Sequence, residues 1–181
     1  MKLITSILLF ISTFNTSFAQ EKYLTKNGSI SFFSHSPAED IKADNKQVLS
    51  IINTANGEIA IAILMKSFHF KKSLMQEHFN ENYVESDKFP KATFKGAIID
   101  YKNISKSGTQ TITIKGNLTL HGVTNQVKTQ AIINWKDAVI SLEGKFSVNV
   151  ADYNIDIPSV VKNNIAKSIE ISFKLNHKPY K

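Results

Sequence analysis

The chain has 181 residues and a formal net charge of +7, from 22 lysines and no arginine set against 15 acidic residues. Hydrophobic residues make up 42% of it, which excludes a disordered tail and is enough for one ordinary domain. The absence of cysteine excludes disulfides, zinc–thiolate sites and thiol catalysis. Arginine is the residue that reads bases and phosphates bidentately, so its absence argues against a nucleic-acid partner. The charge favours anionic partners such as lipid surfaces, although a merely soluble basic surface explains it equally well.

Residues 1–19 have the pattern of a cleaved signal peptide. A positive start at Lys2 precedes the apolar run Leu3–Ile11, and Ser17-Phe18-Ala19 places small residues where signal peptidases read them. The apolar run is shorter than the about 20 residues that a transmembrane helix needs. We therefore predict an exported protein, periplasmic or secreted, with one domain over residues 20–181.

The dominant hydrophobic period of the remaining chain is two, which is typical of half-buried antiparallel strands. The clearest alternating segments are residues 58–65, 111–120, 127–135, 140–148 and 169–175. Asn56-Gly57 predicts a type I′ hairpin, and Ser107-Gly108 and Lys136-Asp137 mark two further turns. We predict eight or nine strands beginning near Ser29, arranged as a barrel or a sandwich.

One segment departs from this period. Met75, Phe79 and Tyr83 recur at helical spacing, which predicts an amphipathic helix from Ser73 to about Val84. Ser73 and Gln76 have the spacing of a capping box at its start. Such a helix in an otherwise all-β chain is expected to pack on the sheet or to close one end of a barrel.

Three sequence motifs resemble the YceI family. The first runs from Leu74 through His78-Phe79 and Phe89-Pro90 to Gly96, the second is Lys115-Gly-Asn-Leu-Thr-Leu-His121-Gly-Val-Thr124, and a weaker third is Asp152-Tyr-Asn-Ile-Asp-Ile-Pro158. The resemblance implies an all-β fold: a single antiparallel eight-stranded lipocalin-like β-barrel with one short amphipathic α-helix inserted between strands. It also implies an exported protein that binds a polyisoprenoid or similar long-chain lipid in the barrel. A homodimer and a transient contact with a membrane surface remain open.

A polyisoprenoid has few polar atoms, so its recognition needs an apolar tube rather than a catalytic constellation. The ligand would be the bound isoprenoid itself, and no other cofactor is expected. Our candidates for the lining are Phe32, Ile61, Leu74, Phe79, Phe94, Ile114, Leu118, Ile133, Leu142, Phe146, Ile171 and Phe173. Any one of them could instead be an ordinary core residue, and Leu74 and Phe79 on the predicted helix are the strongest.

Lys71 and Lys72 precede the predicted helix start. Ammonium groups beside free helix N–H groups could hold the phosphate of a prenyl phosphate, whereas a prenyl quinone would not need them. The alternative is a pair of solvated lysines on a loop.

Neither a metal site nor catalysis is predicted. The five histidines are dispersed without ligand spacing, and no nucleophile elbow, phosphate-binding glycine loop or dinucleotide fingerprint occurs. The leading hypothesis is therefore a non-enzymatic lipid carrier for transport, storage or stress protection. The alternatives are a β-sandwich interaction module that binds anionic surfaces through its basic face, and an enzyme that acts on a lipid.

Overall fold

The structure of the protein is a computed structural model that describes residues 21–37, 39–158 and 166–180. The predicted signal peptide, residues 1–19, lies outside the described residues. No helix among the described residues is both long and apolar enough to cross a membrane.

The described residues form nine strands, one short helix and three 3₁₀ turns. The strands are β1 (Lys22–Ser34), β2 (Ile41–Asn53), β3 (Glu58–Leu64), β4 (His69–Phe70), β5 (Lys91–Ile98), β6 (Gly108–Leu120), β7 (Val123–Lys136), β8 (Val139–Asn149) and β9 (Ser168–Pro179). Helix α1 (Ser73–His78) continues directly into a π-helical turn (Phe79–Tyr83). The 3₁₀ turns are Met65–Ser67, Tyr101–Asn103 and Val150–Tyr153.

The sheet closes on itself. Its strands run in the order β1-β9-β8-β7-β6-β5-β3-β2, every neighbouring pair is antiparallel, and β2 pairs back onto β1. The two-residue strand β4 only adds Phe70 and His69 to the start of β2. The predicted eight-stranded antiparallel barrel with one short helix is thus confirmed. The alternative of a β-sandwich is wrong, because closure leaves one continuous sheet.

The first strand begins at Lys22, seven residues before the predicted start near Ser29. Its register against β2 shifts between Thr25 and Gly28 and again between Gly28 and Ile30. These bulges put two residues opposite one and break the alternation from which a strand is recognised. The pattern of hydrophobic residues therefore hides the first half of β1.

The hairpins differ in the turns that close them. Asn56-Gly57 does lie in a hairpin, but the loop spans residues 54–57 and only Gly57 has a positive φ, so the predicted type I′ turn is wrong there. Tight two-residue turns with positive φ at both positions occur instead at His121-Gly122 and Asp137-Ala138. Positive φ at both central residues matches the right-handed twist of the paired strands.

The helix begins as predicted at Ser73, but the predicted capping box is wrong. The N-cap residue is Lys72, and no side chain bonds the first helical N–H groups. The amide oxygen of Gln76 instead accepts a hydrogen bond of 3.1 Å from the backbone N–H of Phe70. Gln76 therefore ties the helix to β4, and the helix ends at the π-helical turn that carries Phe79.

The two ends of the barrel are filled differently. At one end, hereafter the packed end, the β2–β3 and β7–β8 hairpins close over side chains that have no exposed surface. These are Ile52, Ile133, Ile140, Leu175 and His177. The opposite end, hereafter the helix end, carries the β6–β7 hairpin and the segment that contains α1.

Candidate ligand cavity

A cavity of about 470 Å³ occupies the half of the barrel next to the helix end. Successive side chains of a strand lie on opposite faces of the sheet, so every second side chain faces the barrel interior. Most of the side chains that line the cavity are aliphatic or aromatic. Its wall includes the predicted residues Phe32, Ile61, Leu74, Phe79, Phe94, Ile114, Leu118, Leu142, Phe146, Ile171 and Phe173. The structure thus brings eleven of the twelve candidates together around one space.

Ile133 is the exception, because it lies in the packed end rather than in the cavity wall. Its cross-strand partner on β8 is Leu142, which does reach the cavity. The floor of the cavity therefore passes between these two neighbours. Ile133 contributes to core packing and does not line the cavity.

Four phenylalanine rings form a cluster beneath the helix. The ring centroid of Phe79 lies 5.0 Å from that of Phe70, 5.4 Å from that of Phe32 and 5.6 Å from that of Phe68. Such spacings are those of favourable stacked and edge-to-face pairs. Phe79 is thereby an anchor that holds the helix segment on the barrel, while Leu74 reaches the cavity wall and stays 60% exposed.

Sequence reasoning missed several lining residues. Phe68 precedes the short strand β4 and Phe70 is its second residue, and a strand of two residues is too short to show a period. Their spacing of two, S-F-H-F, was the available signal. Ile155 and Ile157 also reach the cavity, from a segment without regular structure in which no period directs a side chain.

The two lysines proposed for a head group do not converge. Lys72 reaches the cavity wall, but its ammonium group is ion-paired with the carboxylate of Glu39. Lys71 lies instead in an outer groove with Lys66 and Asp87. Residue 72 has extended backbone angles, and consecutive side chains of an extended chain point to opposite sides. A site built from both ammonium groups is therefore not formed.

The remaining polar groups of the wall are few. The Ser34 hydroxyl accepts a hydrogen bond of 2.9 Å from the backbone N–H of Ala166, and the Thr129 hydroxyl donates to the carbonyl of Lys145 over 2.7 Å. Burial raises the pKa of Tyr83, so its phenol stays protonated at neutral pH. The wall thus presents a low-polarity surface, with its one full charge pair at the helix end.

The family motif histidine joins the helix segment to the barrel. His121 sits in the β6–β7 turn, where its Nε2 lies 2.8 Å from a carboxylate oxygen of Glu85 and its Nδ1 lies 3.1 Å from the carbonyl of Tyr153. The hydrogen bond from His121 is the main reason that the pKa of Glu85 is lowered. The ring also packs edge-on against Phe89, with centroids 4.5 Å apart. His121 thereby fixes the chain that leaves the π-helical turn.

A serine and a histidine meet in the packed end. The Ser50 hydroxyl lies 2.8 Å from Nε2 of His177, and Nδ1 of His177 lies 3.1 Å from the carbonyl of Ile140. Both side chains are fully buried, and no carboxylate orients the imidazole as it would in a catalytic triad. Within the described ranges no three His, Cys, Asp or Glu side chains group as a metal site. The contact between Ser50 and His177 is a structural one.

Several solved structures have the same fold as this chain. A polyisoprenoid-binding domain from Saccharophagus degradans, implicated in plant cell wall breakdown, matches 90% of this chain and 100% of its own with a TM-score of 0.75 at 16% identity. BcnA of Burkholderia cenocepacia matches 82% of this chain and 95% of its own with a TM-score of 0.69 at 17% identity. The YceI protein of Campylobacter jejuni matches 98% and 100% with a TM-score of 0.65 at 13% identity. At these identities the likeness concerns the fold.

A comparison of this sequence with curated proteins found no match. The family profile described as the YceI-like domain, by contrast, matches residues 11–177 and so covers nearly the whole sequence. It includes the His121 turn, the helix segment and all of the cavity wall. The chain belongs to the family of YceI-like domains.

Proposed function

We propose that this protein is a non-enzymatic carrier that holds a polyisoprenoid or similar long-chain lipid inside its barrel. The observation that carries the proposal is the cavity of about 470 Å³, whose wall is almost entirely hydrocarbon. Ligand sites are typically apolar clefts of about 300–1,000 Å³ with a few placed polar groups. A flexible hydrocarbon chain matches such a wall, whereas a polar metabolite would leave its own groups unpaired. The similar fold of a polyisoprenoid-binding domain supports the same ligand class.

The energetics of a hydrocarbon tail are sufficient for useful affinity. Burying one methylene contributes roughly 0.8 kcal/mol, so one five-carbon isoprene unit contributes about 3–4 kcal/mol. Association and ordering of the chain cost roughly 4–15 kcal/mol. A few buried units therefore reach micromolar binding, which corresponds to about 8 kcal/mol. Affinity should rise with tail length and depend little on the head group.

We further propose that the preferred head group is uncharged, as in a prenyl quinone. Glu39 already neutralises Lys72 at the cavity wall, and Lys71 lies on the outer side of the helix segment. A phosphate in the cavity would have to displace Glu39 from its partner and would then face that carboxylate. A neutral head can remain at the helix end beside the ion pair without this cost.

Two further parts of the proposal concern export and chemistry. The signal pattern of residues 1–19 supports a periplasmic or secreted location. The hydroxyls of Ser34 and Thr129 in the wall are engaged in hydrogen bonds with the backbone, which supports binding without catalysis. Transport, storage and stress protection share this binding step.

Lipid copurification tests the proposal directly. The full chain is produced in a bacterium that exports it, purified without detergent, and measured by native mass spectrometry before and after extraction with organic solvent. We expect a mass increment of one long-chain isoprenoid per chain, which the extract then identifies. A clean apo mass that also takes up no added prenyl quinone would overturn the proposal.

A pair of neighbouring substitutions locates the ligand. Ile61 lines the cavity, whereas Ala60 beside it on β3 is exposed on the outer surface. We expect Ile61→Trp to fill part of the cavity and to lower prenyl-quinone affinity at least tenfold. Ala60→Trp adds the same indole outside and should bind as the unaltered protein does. Equal affinities for the two variants would mean that the ligand lies elsewhere.

A further inference from the structure

Three adjacent strands of the barrel carry no carboxylate. The sequences of β5, β6 and β7 contain neither Asp nor Glu, and residues 101–136 are entirely free of both. Their outer surface presents five exposed lysines: Lys91, Lys95, Lys115, Lys128 and Lys136. Around these lie threonine, asparagine and glutamine side chains. We call this outer surface of β5, β6 and β7 the acid-free face.

Four of the five lysines of the acid-free face are close to one another. Lys115 on β6 and Lys128 on β7 are direct cross-strand partners, which places their Cβ atoms about 5 Å apart. Lys95 on β5 is a diagonal neighbour of Lys115, at about 7–8 Å. Lys91 lies on the same side of β5, about 13 Å from Lys95. The face thus concentrates positive charge along a line that crosses three strands.

No ion pair engages these lysines within the described part of the chain. Like charges placed opposite each other, as Lys115 and Lys128 are, destabilise a sheet. The flanking strands carry two outward acids. Glu58 on β3 is a diagonal neighbour of Lys95, and Glu143 on β8 is paired with Lys174. The repulsion therefore persists in the free protein, and an anionic surface would relieve it.

The remaining long strands differ in composition. On β2, β8 and β9 lysines alternate with acids and some are ion-paired, as in Lys42–Asp44 and Lys145–Glu170. Exposed lysines without an ion pair also occur there within the described residues, among them Lys26, Lys46 and Lys178. What distinguishes the acid-free face is that three adjacent strands carry lysines and no acid, and such a local field orients a protein toward an anionic partner.

We propose that the acid-free face binds the surface of an anionic lipid membrane. The inference rests on the proposed function, because a carrier of a membrane lipid collects and releases its cargo at a bilayer. The surface is a broad sheet face that fits an extended layer of phosphates, and Ile132 on β7 is 52% exposed and can enter the interface. Each lysine near an anionic leaflet raises affinity roughly fivefold.

Vesicle binding by the delipidated full chain tests the inference. The probes are vesicles of phosphatidylcholine with 30% phosphatidylglycerol, and vesicles of phosphatidylcholine alone. The test variant combines Lys95→Gln, Lys115→Gln and Lys128→Gln. The control variant combines Lys26→Gln, Lys46→Gln and Lys178→Gln, which removes the same charge from exposed positions on β1, β2 and β9.

We expect the test variant to bind anionic vesicles about a hundredfold more weakly and the control variant less than tenfold more weakly. Binding should also fall between 0.1 and 1 M salt, where the Debye length shrinks from about 10 to about 3 Å. Equal loss in the two variants, or binding of the unaltered protein to neutral vesicles alone, would overturn the inference. The vesicle assay uses the delipidated chain and does not depend on prenyl-quinone binding. Loss of vesicle binding with intact quinone binding would therefore overturn only this inference, and loss of quinone binding with intact vesicle binding would overturn only the proposed function.

Discussion

The buried histidine of the packed end makes the stability of the protein depend on pH. His177 has no exposed surface, and burial lowers its pKa from 6.5 to about 4, although the hydrogen bond to the carbonyl of Ile140 acts in the opposite direction. In the folded state its Nδ1–H donates to that carbonyl, and Nε2 accepts from the hydroxyl of Ser50. The neutral ring is thus fully satisfied, and a charged ring would be buried away from water.

The sign of the effect follows from proton binding. Between pH 6.5 and about 4 the unfolded chain holds a proton on His177 and the folded chain does not. Stability from this group is therefore complete above pH 6.5 and is lost as the pH falls toward 4. The two pKa values correspond to a loss of about 3 kcal/mol of unfolding free energy once the pH is below both, of which about 2 kcal/mol is lost between pH 7.5 and 5.

Urea unfolding of the unaltered chain and of His177→Asn at pH 7.5 and 5.0 measures this contribution. The asparagine amide can still donate to the Ile140 carbonyl, so the variant should fold with lower stability at both pH values. Between pH 7.5 and 5.0 we expect the free energy of unfolding to fall by about 2 kcal/mol less in His177→Asn than in the unaltered chain. His69→Asn removes an exposed histidine of β4 and should keep the full pH dependence. An unchanged difference in His177→Asn would refute the assignment.

Two other predictions concern contacts that shape the cavity. A Cβ at Gly116 would lie 2.5 Å from the Cα of its partner Gly96 and 2.6 Å from the ring of Phe94, so Gly116→Ala should lower stability by about 1–3 kcal/mol and weaken prenyl-quinone binding by moving that ring. An unaltered urea midpoint and affinity would contradict it. His121→Ala removes two hydrogen bonds, including the one to Glu85, and should cost about 1–3 kcal/mol and speed hydrogen exchange over residues 84–90. Exchange in that segment at the original rate would speak against His121 as its attachment.

The strands that could be predicted from sequence are those with one uniform inner face. In β6 to β9 most of the inward residues are apolar, so the period of two is visible along each strand. In β2 the inner face includes the buried polar residues Asn45 and Ser50, and its phase shifts between Asn45 and Val48. Polarity and bulges together erase the signal there. The contact of Ser50 with His177 joins residues 127 apart in sequence, which no local pattern can reveal.

The period of a strand identifies the face of a side chain but not its depth in the barrel. Ile133 and Leu142 are cross-strand partners with the same inward orientation, yet only Leu142 reaches the cavity. Depth depends on where the packed end stops, which is set by side chains from several strands. Lys71 and Lys72 illustrate the same limit for a loop. They are adjacent in sequence, but the backbone there is extended and their side chains lie on opposite sides of it.

The cavity also bears on how the protein meets its ligand. Side chains that line an unfilled apolar space lack packing partners on one side, and the cavity of about 470 Å³ leaves many side chains in that state. A hydrocarbon chain that fills the space restores the missing contacts and stabilises the folded state by mass action. The dense packed end and the underfilled helix end are therefore complementary: the first keeps the barrel closed without a ligand, and the second makes the filled state the more stable one.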